Sequence, residues 1–440
     1  MQTEEIIEKC KRHTLYTWAA QGNVRPFPIE RAEGSYIYDT HGKEYLDFNS
    51  QLMSVNIGHS HPKVVKAIQE AAAGLIYTFP GSATEARAAL GERLANLLPG
   101  DLNVSFFTLG GAEANENAIK IARQYTGKHK ILSRYRSYHG ATHACMQMTG
   151  DPRRWSNEPG APGFIRVMDP QPYNFSFGED DATKTEQNLR YLEEVIQYEN
   201  PDSIAAMFIE TVTGTNGVLP PPEGYLQGLR KLLDKYNILL VCDEVMAGFG
   251  RTGKMFAFEH AGIVPDIVTM AKGLTSSYIP LGAAVVRDDI ANYFRDNVLP
   301  CGLTYNSHNL ALNTAMAVLD VFEEEKLADN AQALGAVMQE EMQRLQEKHP
   351  CINETRNIGL FGMIDLGDGE GNLLVPYNGS HPVIADFNGF LRAEGLFTFI
   401  RWGHIMCNPP LCTTEDQLRK GFDIIDRGLD LIDAVLPSKA

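Results

Sequence analysis

Three things are scarce in this chain of 440 residues. No apolar run approaches the roughly 18 residues that cross a bilayer, which argues against a helical membrane protein. Clusters of basic residues are missing as well. The 39 lysines and arginines are scattered among 55 acidic residues, for a net charge of −16. Nucleic-acid binding needs concentrated positive charge, so that class of partner is not expected. The 7 cysteines, at positions 10, 145, 242, 301, 351, 407 and 412, are odd in number and irregularly spaced. Neither a disulfide framework nor a zinc ribbon fits that spacing. Cys242 lies in the apolar run Ile238–Cys242, where a thiol serves as a small core residue. The opening MQTEEIIEKCKRH is charged and shows no apolar signal region, so a reducing cytoplasm is the expected compartment.

What remains is the composition of a globular protein, 44% hydrophobic, with 39 glycines and 23 prolines. A chain of this length buries about three quarters of its unfolded surface and needs no covalent staples. Length alone suggests two or three domains. There is no internal repeat, low-complexity tract or long linker. Residues 1–60 read as a helix followed by short strands near Gly34–Asp39 and Glu44–Phe48.

From about 62 to 314, short apolar runs alternate with stretches of helical period. The runs are Val104–Leu109, Lys130–Arg134, Ile204–Ile209, Ile238–Cys242, Ile267–Ala271 and Gly282–Val286. In Glu113–Tyr125, residues Ala118, Ile119, Ala122 and Tyr125 share one helical face. Apolar strands separated by helices predict an α/β fold with a mainly parallel sheet covered on both faces. Beyond 315 the pattern changes to two helices (312–325 and 330–348), strands at 360–365 and 396–401, and a final helix over 414–435. This predicts a large domain over 62–314 and a smaller α+β domain built from 1–61 and 315–440.

Open parallel sheets bind ligands at the carboxyl ends of their strands, so the residues just beyond each strand carry the functional reading. Val104–Leu109 runs into Gly110-Gly111-Ala112-Glu113, a glycine turn opening a helix. Free N–H groups and the helix dipole suit a phosphate there, although the same turn serves as a plain βα connection. Lys130–Arg134 is followed by Ser137-Tyr138-His139-Gly140, with an aromatic residue beside a glycine. Glu210 ends the next run, and Asp243-Glu244 ends the one after it; a carboxylate at the end of a buried strand needs a cationic partner. Lys272 comes directly after Ile267–Ala271, between apolar segments. Desolvation would lower its pKa toward the nucleophilic range, whereas a purely structural lysine would point to water. A phosphate cradle, an aromatic plate, an acid and a lysine form the set that pyridoxal 5′-phosphate requires.

The segments FFTLGGAEANENAIKIAR, YRSYHGATH, LLVCDEVMAGFGRTG, DIVTMAKGLTSSYIPLGAAV and LTYNSHNLA, in this order and spacing, resemble the class III (ω-type) aminotransferases of PLP fold type I. They span about 104–312, with weaker similarity over nearly the whole chain. Within the family the chain resembles taurine- and β-alanine-type members. The resemblance implies a two-domain fold around a seven-stranded sheet and transfer of an amino group from a terminal amine or ω-amino acid to a small 2-oxo acid. It implies that Lys272 bonds the cofactor, Asp243 pairs with its ring nitrogen, and Tyr138 stacks on the ring beside His139. Gly111 and Ala112 would hold the phosphate, Val245 the opposite ring face, and Glu210 would lie close by. Thr304 would reach the cofactor of a neighbouring subunit, which implies a homodimer or a tetramer built from it. Arg401 would receive a substrate carboxylate, with Trp18 as an aromatic wall and Met53 where several relatives carry a tryptophan. The chain departs from the family at Ala112 (commonly serine), at Thr211 (commonly proline) and in a shorter stretch between Arg401 and Pro409-Pro410.

Other PLP reactions on the same fold, decarboxylation or an intramolecular amino shift, remain open on sequence grounds. A nicotinamide oxidoreductase would rest on Gly248–Gly253, which matches GxGxxG. That loop starts six positions beyond Cys242 and lacks the downstream acid, so a glycine-shaped active-site loop is expected instead. His59 and His61, at i and i+2, do not share a helix face, so no metal is expected; Ser60 or His61 precedes a helix with Pro62 near its first turn. Glu323–Glu325 reads as a solvated helix end.

Overall fold

The computed structural model describes residues 2–436. Near the N-terminus, β1 (Ile29–Glu33), β2 (Tyr36–Asp39) and β3 (Glu44–Asp47) form an antiparallel meander. The central region builds a seven-stranded sheet from β4 (Leu102–Thr108), β5 (Lys130–Arg134), β6 (Phe164–Val167), β7 (Ile204–Glu210), β8 (Leu239–Asp243), β9 (Ile267–Met270) and β10 (Gly282–Arg287). Its order is β4-β10-β9-β8-β7-β5-β6, and β10 alone runs against its neighbours β4 and β9. The result is a mainly parallel, helix-covered α/β sheet. In β7 and β8 every residue is buried, which is why these strands read as unbroken apolar runs.

The C-terminal region adds β11 (Ile352–Ile358), β12 (Phe361–Leu366), β13 (Leu396–Phe397), β14 (Ile400–Arg401) and β15 (His404–Cys407). Four of them form an antiparallel sheet in the order β11-β12-β15-β14, while β13 joins the N-terminal meander in parallel beside β3. The single strand expected at 396–401 is therefore two short ones that serve different sheets. The edge strand β6 escapes sequence reading because only Val167 of its four residues is buried, so it carries no apolar run.

The helix expected from Glu113 begins at Gly111 and runs to Thr126, where Gly127 closes it with φ of +67°. Pro62 opens the helix Pro62–Ala73 with His61 at the preceding position. Among the described residues no helix is long and apolar enough to cross a membrane. The topology brings the C-terminal ends of β4, β5, β7, β8 and β9 to one edge. The groups next after Thr108, Arg134, Glu210, Asp243 and Met270 therefore meet there.

Candidate active site

Eight of the residues predicted to form the site line one cavity of about 510 Å³: Gly111, Ala112, Tyr138, His139, Glu210, Asp243, Val245 and Lys272. Each owes its place to a strand end. The first turn of the helix Gly111–Thr126 points its unpaired N–H groups into this space. A methyl group at Gly111 would fall 2.8 Å from a Cγ of Val245, so the close approach of helix and Val245 requires glycine at that position. Gly140, at φ +133°, passes Ala112 so closely that a Cβ would meet its Cα at 2.8 Å.

Asp243 and Glu244 divide as strand alternation demands. Asp243 Oδ2 accepts hydrogen bonds from His139 Nδ1 and Asn115 Nδ2, both at 2.8 Å, and Oδ1 accepts from the Val245 N–H at 3.0 Å. Glu244 turns to the opposite side and accepts the N–H groups of Ala257 and Phe258 at 2.9 and 3.1 Å. Burial pushes the Glu244 carboxyl up to about 7. Only Asp243 faces the cavity. Asn115 was not anticipated. It is buried one turn into the helix, and Thr269 Oγ1 fixes its amide by donating to Oδ1 at 2.7 Å; a periodicity that counts only apolar residues gives no sign of it.

Lys272 lies just past β9 with φ of +43°, an uncommon backbone conformation for a side chain of this size. Burial lowers its amine to about 8, against the opposing pull of Asp243 and Glu210. Glu210 holds the loops in place: Oε1 accepts the Tyr138 N–H at 2.8 Å and Oε2 the Gly214 N–H at 2.9 Å. Burial raises its carboxyl above the ordinary value.

Beyond Tyr138 lies a cationic annex. The Arg153 guanidinium sits 3.5 Å from the Tyr138 ring centroid, and Trp18 meets the same ring edge-on at 6.2 Å. Asp151 pairs with Arg153 at 2.5 Å and with Arg401 at 3.3 Å. Burial alone would raise the Asp151 carboxyl, but the two arginines hold it below its usual range. Two guanidinium groups thus share one carboxylate. Arg153 and Asp151 lie in a segment without periodic pattern or motif, and sequence reading missed both.

Two expectations change. Met53 does not line the cavity; it is 1% exposed, in a buried cluster with Met246, Phe361, Met363 and Met406. Its backbone belongs to a kinked segment at Ser50–Met53, which carries the side chain behind the wall. The loop Gly248–Gly253 also contributes nothing to the lining. It carries the buried Arg251, which donates to the carbonyls of Leu360 and Pro409 at 3.0 and 2.6 Å, and to Ser50 Oγ and Asn56 Oδ1 at 3.0 and 3.2 Å. No helix starts directly after this loop, so it is a structural tie and not a dinucleotide turn. Thr304 is exposed, and its carbonyl accepts the Tyr77 hydroxyl at 2.7 Å. His59 and His61 are engaged separately, by Asp47 at 2.9 Å and Glu325 at 2.8 Å.

The cavity fits pyridoxal phosphate by its own chemistry: N–H donors at one end, the Asp243 carboxyl at the other, and a lysine of lowered basicity between β9 and the loop after it. The fold and this site define a PLP-dependent enzyme of fold type I. The family model for class III aminotransferases matches residues 17–429, and the chain belongs to that family. A probable aminotransferase of Mycobacterium tuberculosis is 39% identical over 349 residues, 77% of this chain and 74% of that protein. The diaminobutyrate–2-oxoglutarate transaminase of Halomonas elongata is 34% identical over 386 residues, 82% of each chain. The crystal structure of taurine:2-oxoglutarate aminotransferase from Bifidobacterium kashiwanohense, in complex with PLP and glutamate, is similar with a TM-score of 0.96, 41% identity and 99% coverage of both chains. The protein is a class III, PLP-dependent aminotransferase.

Proposed function

We propose that this enzyme takes the amino group from an ω-amino acid of the taurine, β-alanine or γ-aminobutyrate type and passes it to a small 2-oxo acid, in a ping-pong sequence. The observation that carries this reading is the cationic annex. Arg153 lies over Tyr138 and shares the Asp151 carboxylate with Arg401, which leaves one positive charge for the acidic end of a donor whose amine lies at Lys272. A sulfonate or carboxylate at the end remote from the amine is what distinguishes an ω-amino acid from a simple amine.

When bound, the cofactor supplies an electrophilic carbon for the amine and a ring that accepts electrons. The chain supplies the rest. The phosphate is held by the N–H groups of Gly111 and Ala112, and Val245 and Tyr138 enclose the ring. Asp243, fixed by three hydrogen bonds, would face the ring nitrogen and hold a proton there. Lys272 Nζ would hold the cofactor and, once freed, would carry the proton at the substrate carbon as general acid and base. Because both halves of the reaction use the same cavity, the oxo acid enters only after the first product leaves.

The same reading has the enzyme in the cytoplasm as a homodimer. Tyr77 and Tyr305 are exposed and pack together beside Thr304, and Leu75, Phe79 and Val298 are exposed in the same two stretches of chain, an apolar set suited to a second subunit. It also retains the division into a large domain, 62–314, and a small one from 1–61 and 315–440; β13 completing the N-terminal meander supports it. A donor-by-acceptor panel tests the function: highest kcat/KM for an ω-amino acid is expected. Equal turnover without an oxo acid would indicate decarboxylation or an amino shift instead.

A further inference from the structure

We propose that the cleft between segment 170–176 and the C-terminal sheet is a binding site for a small organic anion, separate from the cofactor cavity. The cleft measures about 480 Å³. Arg136 and Tyr173 form one wall, and Arg356, Asp365 and His404, from β11, β12 and β15, form the other; Lys184 stands at its side.

The balance of charge is the main argument. Both carboxylates of the cleft are already engaged. Arg356 reaches Glu354 at 3.1 Å and Asp365 at 2.7 Å, and His404 Nδ1 meets the other Asp365 oxygen at 2.5 Å. One buried cation, Arg136, is left without a carboxylate. Arg136 is 9% exposed, and among the described residues it forms no ion pair. Its nitrogens donate only to carbonyls: Nε and Nη2 to Asn216 at 3.2 and 2.6 Å, and Nη1 to Gln171 at 2.8 Å. Lys184, at the rim, is held only by a loose pair with Asp181 at 3.9 Å. A desolvated guanidinium without an anion is costly, and carbonyl dipoles compensate it only in part. An anion in the cleft would complete the pairing.

The remaining lining indicates the body of the ligand. The Tyr173 ring lies 3.8 Å under the Arg136 guanidinium, and its hydroxyl is buried without a partner. Phe175, Leu219 and Leu373 add apolar surface. The ligand class is therefore an organic acid with a hydrocarbon or aromatic body, carrying a carboxylate or a phosphate monoester. The site also communicates with the annex. Asn216, whose carbonyl accepts from Arg136, donates its amide N–H to Asp151 at 3.2 Å, and Asp151 is the carboxylate shared by Arg153 and Arg401.

Calorimetric titration of the holoenzyme with glutarate and with phenyl phosphate tests the assignment. Saturable binding of at least one probe is expected below about 10 mM. Lys184→Glu should weaken that binding about tenfold or more while basal turnover is unchanged. Arg401→Ala, which alters the annex, should leave it within about twofold. No saturable binding of either probe overturns the proposal. So does unchanged binding in Lys184→Glu, or loss in Arg401→Ala, which would place the probe at the substrate site. Preference for glutarate or for phenyl phosphate assigns the headgroup.

Discussion

His139 Nδ1 lies 2.8 Å from Asp243 Oδ2, with the Asn115 amide on the same oxygen at the same distance. Three donors, the third being the Val245 N–H, fix this buried carboxyl beneath the place where a pyridine nitrogen would lie. Replacing Asp243 by asparagine should lower kcat about 100-fold while the cofactor still binds, read by turnover beside cofactor content. Asn115→Ala should reproduce part of that loss and lower stability by about 1–3 kcal/mol, because Asp243 and the His139 carbonyl each lose a buried donor. A thermal melt and a pH–rate profile separate the two effects.

Lys272→Ala should abolish turnover by about a thousandfold or more and leave the fold intact. Borohydride reduction and then intact-mass measurement provide the second readout. The wild type should gain the mass of the reduced cofactor and the variant should not.

The lowered basicity of Lys272 makes two predictions with a definite sign. Covalent cofactor uptake by the apoenzyme needs the neutral amine, so its rate should rise with pH and level off above about 8. In the unfolded chain the same amine stays protonated to about 10.4. Between these values the unfolded state binds more protons than the folded one, so this group's contribution to stability rises with pH across that window. A cofactor-uptake rate that is flat from pH 6 to 9 would contradict the burial of the amine.

Gly111→Ala should weaken the cofactor about 10- to 100-fold, since its Cβ would press on Val245 at 2.8 Å and push the helix N-terminus from the phosphate. Equilibrium dialysis of the apoenzyme measures this directly. The same change at the exposed Gly22, which has nothing within 4 Å, should have no effect.

Arg153→Ala and Arg401→Ala should each raise KM for sulfonate and carboxylate donors about tenfold, with little change in kcat. Donors lacking an acidic group should be unaffected. An equal loss for neutral amines would mean that the arginines shape the pocket and do not read charge.

Much of the site is legible in the sequence because a parallel sheet places ligands at strand ends, and buried strands announce themselves as apolar runs. Glu210, Asp243 and Lys272 each stand at the C-terminal end of such a run, and the glycine turn at Gly110-Gly111 stands between a run and a helix. Met53 fails that logic, since a kink and not a periodicity decides where its side chain goes. Arg153, Asp151 and Asn115 are invisible for a related reason: Asp151 meets Arg401 250 positions away, Asn115 meets Asp243 128 positions away, and Arg153 gains its role only where this pair reaches Tyr138; no local pattern encodes such meetings.

By itself the sequence determined the class of fold, the succession of buried strands along the chain and the cofactor chemistry, because these depend on short-range periodicity and on residue types at strand ends. Only the tertiary structure decided which of Asp243 and Glu244 faces the cavity, that two arginines share Asp151 beside Tyr138, and that Gly248–Gly253 is a tie around Arg251. Those outcomes depend on where distant segments meet. Hydrogen bonding and charge pairing act across space, whereas hydrophobic periodicity acts along the chain.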